Sequence, residues 1–357
     1  MASENLEPAK ARFIRVSKNC QDTLIDFVDF HPGDIVILKT QPPSSSVQAI
    51  QNLEHLLKDD TTARLFNSLK LGDLNKILYR CENEERDDSD GNCGVYVIPN
   101  YGPLVYSGLQ GVASLLSQIR VNDDLGHPLC CNLRAGNWLL DYIVNRLLRE
   151  DSTREVGLYL KTAFQYVKDL PRNLIPRFFD IVVMVVTIRA SNKVWELMNE
   201  FVQSGSPFIK QLSLATLQVT GHCKSGYLPG AKDTVSLSAG LPHFSTGYMR
   251  NWGRDTFIAL PGVYLVTGRY EEAKQTILAY ASVMRHGLIP NLLDKGTHAR
   301  YNCRDATWFW LYAVVRYCQL VPGGEAILKE KVSRMYPNDL SLPVLDDSVV
   351  SQFPVHD

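Results

Sequence analysis

The residues of this chain best able to do chemistry are Trp252-Gly253-Arg254-Asp255, which close a turn-rich stretch (240–251) and directly precede an apolar run. An indole face, a planar guanidinium with five donors and a carboxylate acceptor are the parts needed to grip one sugar ring. They supply an apolar surface under the ring and fixed partners for vicinal hydroxyls. The same spacing also reads as a plain helix start, with Asp255 accepting from backbone N–H groups and Arg254 in a surface ion pair. A second Arg-Asp pair opens an aromatic run in Tyr301-Asn302-Cys303-Arg304-Asp305-Ala306-Thr307-Trp308-Phe309-Trp310. Two such helix starts suggest one pocket assembled from successive helix pairs. His243, in the loop upstream, can meet either a sugar or a loop carbonyl.

The elements that must position these residues are helices. Apolar residues recur at three-or-four spacing over 137–148, 156–167, 194–202 and 307–317, while 178–188 is almost continuously apolar, the pattern of a helix buried on several sides. The best-marked helix covers 271–285, with acids in its first turn and Gly287 just past its end. No fixed-period repeat of a solenoid runs through them. Earlier in the chain, residues 1–48 read as strands and turns around the β-prone Ile35-Val36-Ile37-Leu38, followed by the loop Pro42-Pro43-Ser44-Ser45-Ser46. A helical stretch at 47–57 and a less regular segment to Tyr79 lead to the acidic run 82–90, which reads as a solvated loop and a subdomain boundary.

At 357 residues the chain can bury a substantial core, and 45% apolar with 21% charged residues is ordinary for a globular protein. A formal net charge of −1 and a pI near 6.7 leave no basic stripe for nucleic acid or an anionic membrane, so neutral partners fit best. No apolar run reaches the length of a membrane-spanning helix and the N-terminus lacks a signal-peptide layout, so an intracellular, cytoplasmic protein is expected. The eight cysteines are scattered without a C-x-x-C pair, which argues for reduced thiols and against a zinc site; no cofactor is implied.

Six segments, in order along the chain, carry a family resemblance. They are Leu104-Val105-Tyr106-Ser107-Gly108-Leu109-Gln110-Gly111, Asn122-Asp123-Asp124-Leu125-Gly126-His127-Pro128, Asn132-Leu133-Arg134-Ala135-Gly136-Asn137-Trp138, Trp252-Gly253-Arg254-Asp255-Thr256-Phe257, His286-Gly287-Leu288-Ile289-Pro290-Asn291 and Tyr301-Asn302-Cys303-Arg304-Asp305-Ala306. Together they resemble the C-terminal glucosidase region of eukaryotic glycogen debranching enzyme over 102–338, and residues before 100 look like the end of that family's β-rich middle region. The resemblance implies a mainly α chain, an incomplete glucoamylase-like (α/α)6 toroid preceded by a short mixed β/loop segment. The division expected is 1–100 as that segment, 101–338 as the first half of the toroid, and 339–357 as an unmatched tail.

The implied activity is removal of the α-1,6-linked glucose stub of limit dextrin, with glycogen or another branched α-glucan as partner. The family's 4-α-glucanotransferase lies in a domain absent here. Glycoside hydrolysis needs two carboxyls, about 6.5–9.5 Å apart in inverting and about 5–5.5 Å apart in retaining enzymes. The family's proposed acid, in a Trp-Met-Asp segment, and its proposed base, a Glu near the far C-terminus, have no counterpart in this sequence, so no catalytic residue is assigned and the chain alone is expected to be inactive. By resemblance, Trp252, Arg254 and Asp255 hold the terminal glucose, and Asn302, Arg304, Asp305 and Trp308 line the adjoining wall, with His243 as a further candidate. Trp310 reads as core packing. Asp255 as general acid is the rival role; a neighbouring Arg would pull its pKa in the wrong direction. A non-catalytic glucan-binding or regulatory protein, and a plain helical scaffold, are the competing readings. Half a toroid would leave apolar helix faces in water, so self-association through that edge is expected.

Overall fold

The computed structural model describes residues 44–58, 64–88, 95–136, 138–230, 235–343 and 352–354. The β-prone run at 35–38 lies outside them. A first layer of helices comprises α1 (Ser44–Leu57), α2 (Leu71–Leu78), α3 (Glu82–Asp88), α4 (Leu109–Asn122), α5 (Pro128–Gly136), α6 (Trp138–Leu148), α7 (Arg154–Lys168), α8 (Ile175–Glu196), α9 (Glu200–Gln203) and α10 (Pro207–Gln218). A two-stranded hairpin, β1 (Val97–Ile98) with β2 (Gly102–Pro103), precedes α4. The near-continuous apolar character of α8 follows from its place, because it packs against α2, α4, α5, α7 and α10. Pro176 suits its first turn, where a backbone N–H has no intrahelical partner. Phe179, Val182, Val183 and Val186 are fully buried there, each worth about 1.5–3 kcal/mol.

The helix read at 47–57 is α1, but two other expectations for the first hundred residues do not hold among the described ones. Residues 44–88 are largely helical, and α2 packs on α4 within one apolar cluster that includes Leu74, Ile77, Leu78, Val112, Leu115 and Leu116. The core therefore runs straight across the expected division at 100. The acidic run, read as a solvated loop, is in its first part the helix α3, with Glu84 and Glu85 buried. Composition alone offers these carboxylates no partner but water. The fold supplies guanidinium groups instead: Arg250 to Glu84 at 2.6 Å, Arg146 to Glu85 at 3.2 Å, and Arg80 to Asp88.

The second apolar cluster is built from later elements. These are the pair β3 (Thr220–Gly221) and β4 (Ser236–Leu237), α11 (Gly253–Leu260), a π-helical turn at Pro261–Leu265, α12 (Tyr270–Ser282), the hairpin β5 (Leu292–Asp294) with β6 (His298–Arg300), and α13 (Asp305–Leu320). Phe257 of α11 meets Tyr280 of α12 edge-on at 4.9 Å. Trp310 of α13 is 2% exposed and donates to the Ile277 carbonyl at 3.1 Å, the core role its spacing predicts. The opposite stripe of α13 (Trp308, Leu311, Tyr312 and Val315) is exposed. Beyond it, β7 (Lys331–Ser333) pairs antiparallel with β8 (Gln352–Pro354), so part of the expected unmatched tail joins a two-stranded sheet. Among the described residues no helix is long and apolar enough to cross a membrane.

Candidate functional site

The approach to α11 is anchored from below by a buried cation. The Arg250 side chain is fully buried and donates to Glu84 and the Ser245 carbonyl, each at 2.6 Å, to the Ser236 hydroxyl at 2.6 Å, and to the Gly221 and Ser236 carbonyls at 3.1 and 3.0 Å. From this anchor the chain runs alongside the β5–β6 hairpin. Trp252 bridges Leu292, the Leu293 N–H donates to the Asn251 carbonyl at 3.1 Å, and the Gly253 N–H donates to the Asn291 carbonyl at 2.8 Å. Glycine is required at 253, because a Cβ there would lie 2.2 Å from the Pro290 carbonyl oxygen. On its other side the hairpin holds the approach to α13, through the Asn291 N–H to the Arg300 carbonyl at 3.0 Å. One short hairpin thus sets both helix starts.

Capping is also supplied by that neighbour. Asp255 is the third residue of α11, not its cap, and the Arg254 N–H is met by the Asn291 side-chain oxygen at 3.4 Å. The helix-cap reading of Asp255 is therefore set aside; its carboxylate stands exposed at the positive end of the helix dipole, where negative charge is favoured.

The two Arg-Asp pairs are joined crosswise. Arg254 makes its ion pair with Asp305 of α13, at 3.2 Å, and touches the Cys303 sulfur at 3.4 Å. The Cys303 thiol donates to the other Asp305 oxygen. That donated bond and then the Arg254 guanidinium hold the Asp305 carboxyl below the usual carboxylate range. Asp305 pushes the Cys303 thiol up in turn, with burial adding to it, which keeps the thiol a donor.

Trp252 is half-buried and its indole N–H is already used on the Met249 carbonyl at 2.8 Å, leaving the ring rather than the nitrogen for a ligand. Asn302 and Arg304 are exposed on the segment leading into α13, and Trp308 is 70% exposed one turn on. His243 is exposed in the loop after Pro242; among the described residues no hydrogen bond or ring contact ties it to the Arg254–Asp305 pair. Sequence reasoning missed Cys303, the bracing residues Asn251 and Asn291, and the Glu84–Arg250 anchor. Of these, Cys303, Arg250 and Asn251 each lie within two residues of a candidate and could have been suspected from sequence, whereas Asn291 and Glu84 lie far from one.

With this geometry, a mainly α scaffold presents an exposed aromatic, guanidinium and carboxylate surface at two adjacent helix starts. Residues 2–147 match the central domain of human glycogen debranching enzyme, and residues 204–352 match the amylo-alpha-1,6-glucosidase family. The glycogen debranching enzyme of Saccharomyces cerevisiae is 42% identical over 327 residues, which is 90% of this chain and 21% of the yeast protein. The chain belongs to the glycogen debranching enzyme family, has its mainly α, glucoamylase-like fold, and spans about a fifth of the length of that curated relative. Three of the six segments that carried the resemblance, at 104–111, 122–128 and 132–138, fall in the central-domain match. The segments that bring Arg254 and Asp305 together fall in the glucosidase match.

Proposed function

We propose that this chain serves glycogen debranching by holding the α-1,6-linked glucose stub of a limit dextrin between the starts of α11 and α13. Trp252, Arg254 and Asp255 grip the ring, and Asn302, Arg304, Asp305 and Trp308 form the adjoining wall. The observation that carries this reading is the Arg254–Asp305 ion pair, which draws both predicted clusters into one exposed polar surface. Its exposure leaves the remaining guanidinium donors free for hydroxyls, and such charge-assisted bonds are the strong ones. The chain binds without cleaving. A general acid must stay protonated near neutrality, and Asp305 is held in the opposite direction by Cys303 and Arg254.

Isothermal titration with glucose and with an α-1,6-branched limit oligosaccharide tests the grip. The expected result is measurable heat that Arg254→Ala removes; equal, negligible heats for both proteins would sink the reading. A glucose-release assay on the same oligosaccharide tests the absence of cleavage, and turnover abolished by Asp255→Asn would reassign that residue as the acid.

The same reading places the protein in the cytoplasm, where glycogen and reduced thiols coexist. It also takes the exposed α13 stripe as a self-association surface. Sedimentation over a hundredfold concentration range should show a mass increase that Leu311→Glu suppresses.

A further inference from the structure

A groove of about 300 Å³ lies between the β1–β2 hairpin, the loop into α4, one face of α4 and the end of α10. Its lining combines four apolar side chains, among them Val105 and Leu115, with Tyr101, Tyr106, Gln110, Ser114, Gln118 and Gln218, and holds no charged residue. None of these belongs to the site at α11 and α13.

The groove is built by specific features of the sequence. Tyr101 sits in the turn of the hairpin between Asn100 and Gly102, both with positive φ, and its half-exposed ring lies 4.8 Å from that of His127, tilted at 58° to it. The loop carrying Tyr106 lies directly on α4. A Cβ at Gly111 would come 2.3 Å from the Tyr106 carbonyl oxygen, and one at Gly108 would come 2.3 Å from the Leu78 carbonyl oxygen. Gln110, Ser114 and Gln118 then follow at four-residue intervals, so they share one face of α4 and form a polar row about 12 Å long. Gln110 donates to Ser114 at 3.0 Å, which orders the first two members of the row.

The lining defines its ligand by what it lacks and what it offers. Without Lys or Arg it has no grip on phosphate or carboxylate, and without Asp or Glu it has none on cations. Amide side chains donate and accept at once, as sugar hydroxyls do, and phenol rings offer a flat apolar face with a polar edge. The row is longer than one hexose ring. We infer that this groove is a second, non-catalytic binding site for a linear stretch of α-linked glucan. The groove chemistry calls for a neutral, hydroxyl-rich oligomer; the choice of glucose as its unit rests on the function proposed above. Two sites on one compact unit, Ser45–Asp357, would let a polymer with many chains engage both, raising retention on glycogen above that of either site alone.

Native electrophoresis of the full chain through gels containing amylopectin tests this. Tyr101→Ala combined with Gln118→Ala should weaken retardation at least fivefold in apparent affinity, while Tyr101→Phe with Gln118 intact should retain it. Both positions are exposed, so the melting temperature should stay that of the parent. Retardation should also be the same at low and high salt, because no charge is involved. Wild-type retardation in the Tyr101→Ala/Gln118→Ala protein, or no retardation of the parent chain, would overturn the inference. Arg254→Ala separates the two readings. Loss of branched-oligosaccharide heat with amylopectin retardation kept supports both. Unchanged heat with retardation still sensitive to Tyr101 leaves the groove and removes the grip at α11.

Discussion

Replacing Glu84 by Ala should destabilise the whole chain more than any other single change in the acidic run. The Arg250 side chain is 0% exposed and that of Glu84 only 3%, so the pair is cut off from water. Removing one partner of such a pair costs about 3–5 kcal/mol, because a charge is left buried and uncompensated. Here the lower end applies, since Arg250 keeps its bonds to the Ser245, Gly221 and Ser236 carbonyls and to the Ser236 hydroxyl. Glu84→Gln keeps the volume and one acceptor and should cost about 1.5–3 kcal/mol, the range of a hydrogen bond to a charged group. Arg250→Met strips five hydrogen bonds at once and leaves the buried Glu84 carboxylate with only the Cys81 N–H, so it should cost about 5 kcal/mol or more. At about 2–4 °C per kcal/mol for a large domain, a cost of about 3 kcal/mol for Glu84→Ala should lower the melting temperature by about 6–12 °C. Differential scanning calorimetry of the three variants reads the order directly. A Glu84→Ala protein within about 1 kcal/mol of the parent, or an Arg250→Met protein more stable than Glu84→Gln, would refute the claim that this pair is a dry anchor for the loop into α11.

Gly253→Ala should cost about 2–4 kcal/mol and abolish sugar binding together, because the new Cβ collides with the Pro290 carbonyl and must break the backbone bond to Asn291; denaturant titration and calorimetric binding check both. Trp310→Ala should destabilise by about 3–5 kcal/mol, whereas Trp308→Ala should stay within about 0.5 kcal/mol and weaken glucan binding instead; urea unfolding beside titration separates the two. The Asp305 carboxyl is held below its unfolded-state value, so its ion pair contributes fully above that value, about pH 3.9, and is lost only as pH falls through the lower folded value. Sugar affinity should therefore be flat from pH 5 to 8 and fall only in strong acid, and a midpoint near neutrality would show that another group controls the site.

Much of the helical frame was legible because burial imposes a period on the sequence. The helices α7, α8, α12 and α13 each lie where three-or-four spacing or a continuous apolar run placed them, and Trp310 faces the core as its neighbours required. The site was legible as residue types but not as pairings. Spacing put Arg254 beside Asp255, while the fold hands it to Asp305, fifty-one positions on. Nothing local distinguishes those partners, since the choice is made by a hairpin of three-residue strands too short to stand out. The acidic run failed for the same reason on a larger scale: Glu84 meets Arg250 across 166 residues, a contact no composition window contains.

Around the β5–β6 hairpin, the residues that brace are separate from the residues that stand exposed. The parts that fix position (Asn251, Gly253, Asn291 and Leu293) are buried and joined through backbone, whereas Arg254, Asp255, Asn302, Arg304 and Trp308 project outward from it. On the function proposed above, substitutions among the outward set would retune which glucan ends are preferred while leaving folding untouched. On that proposal, selectivity would be free to vary as an independent trait, with the hairpin unchanged as its mount.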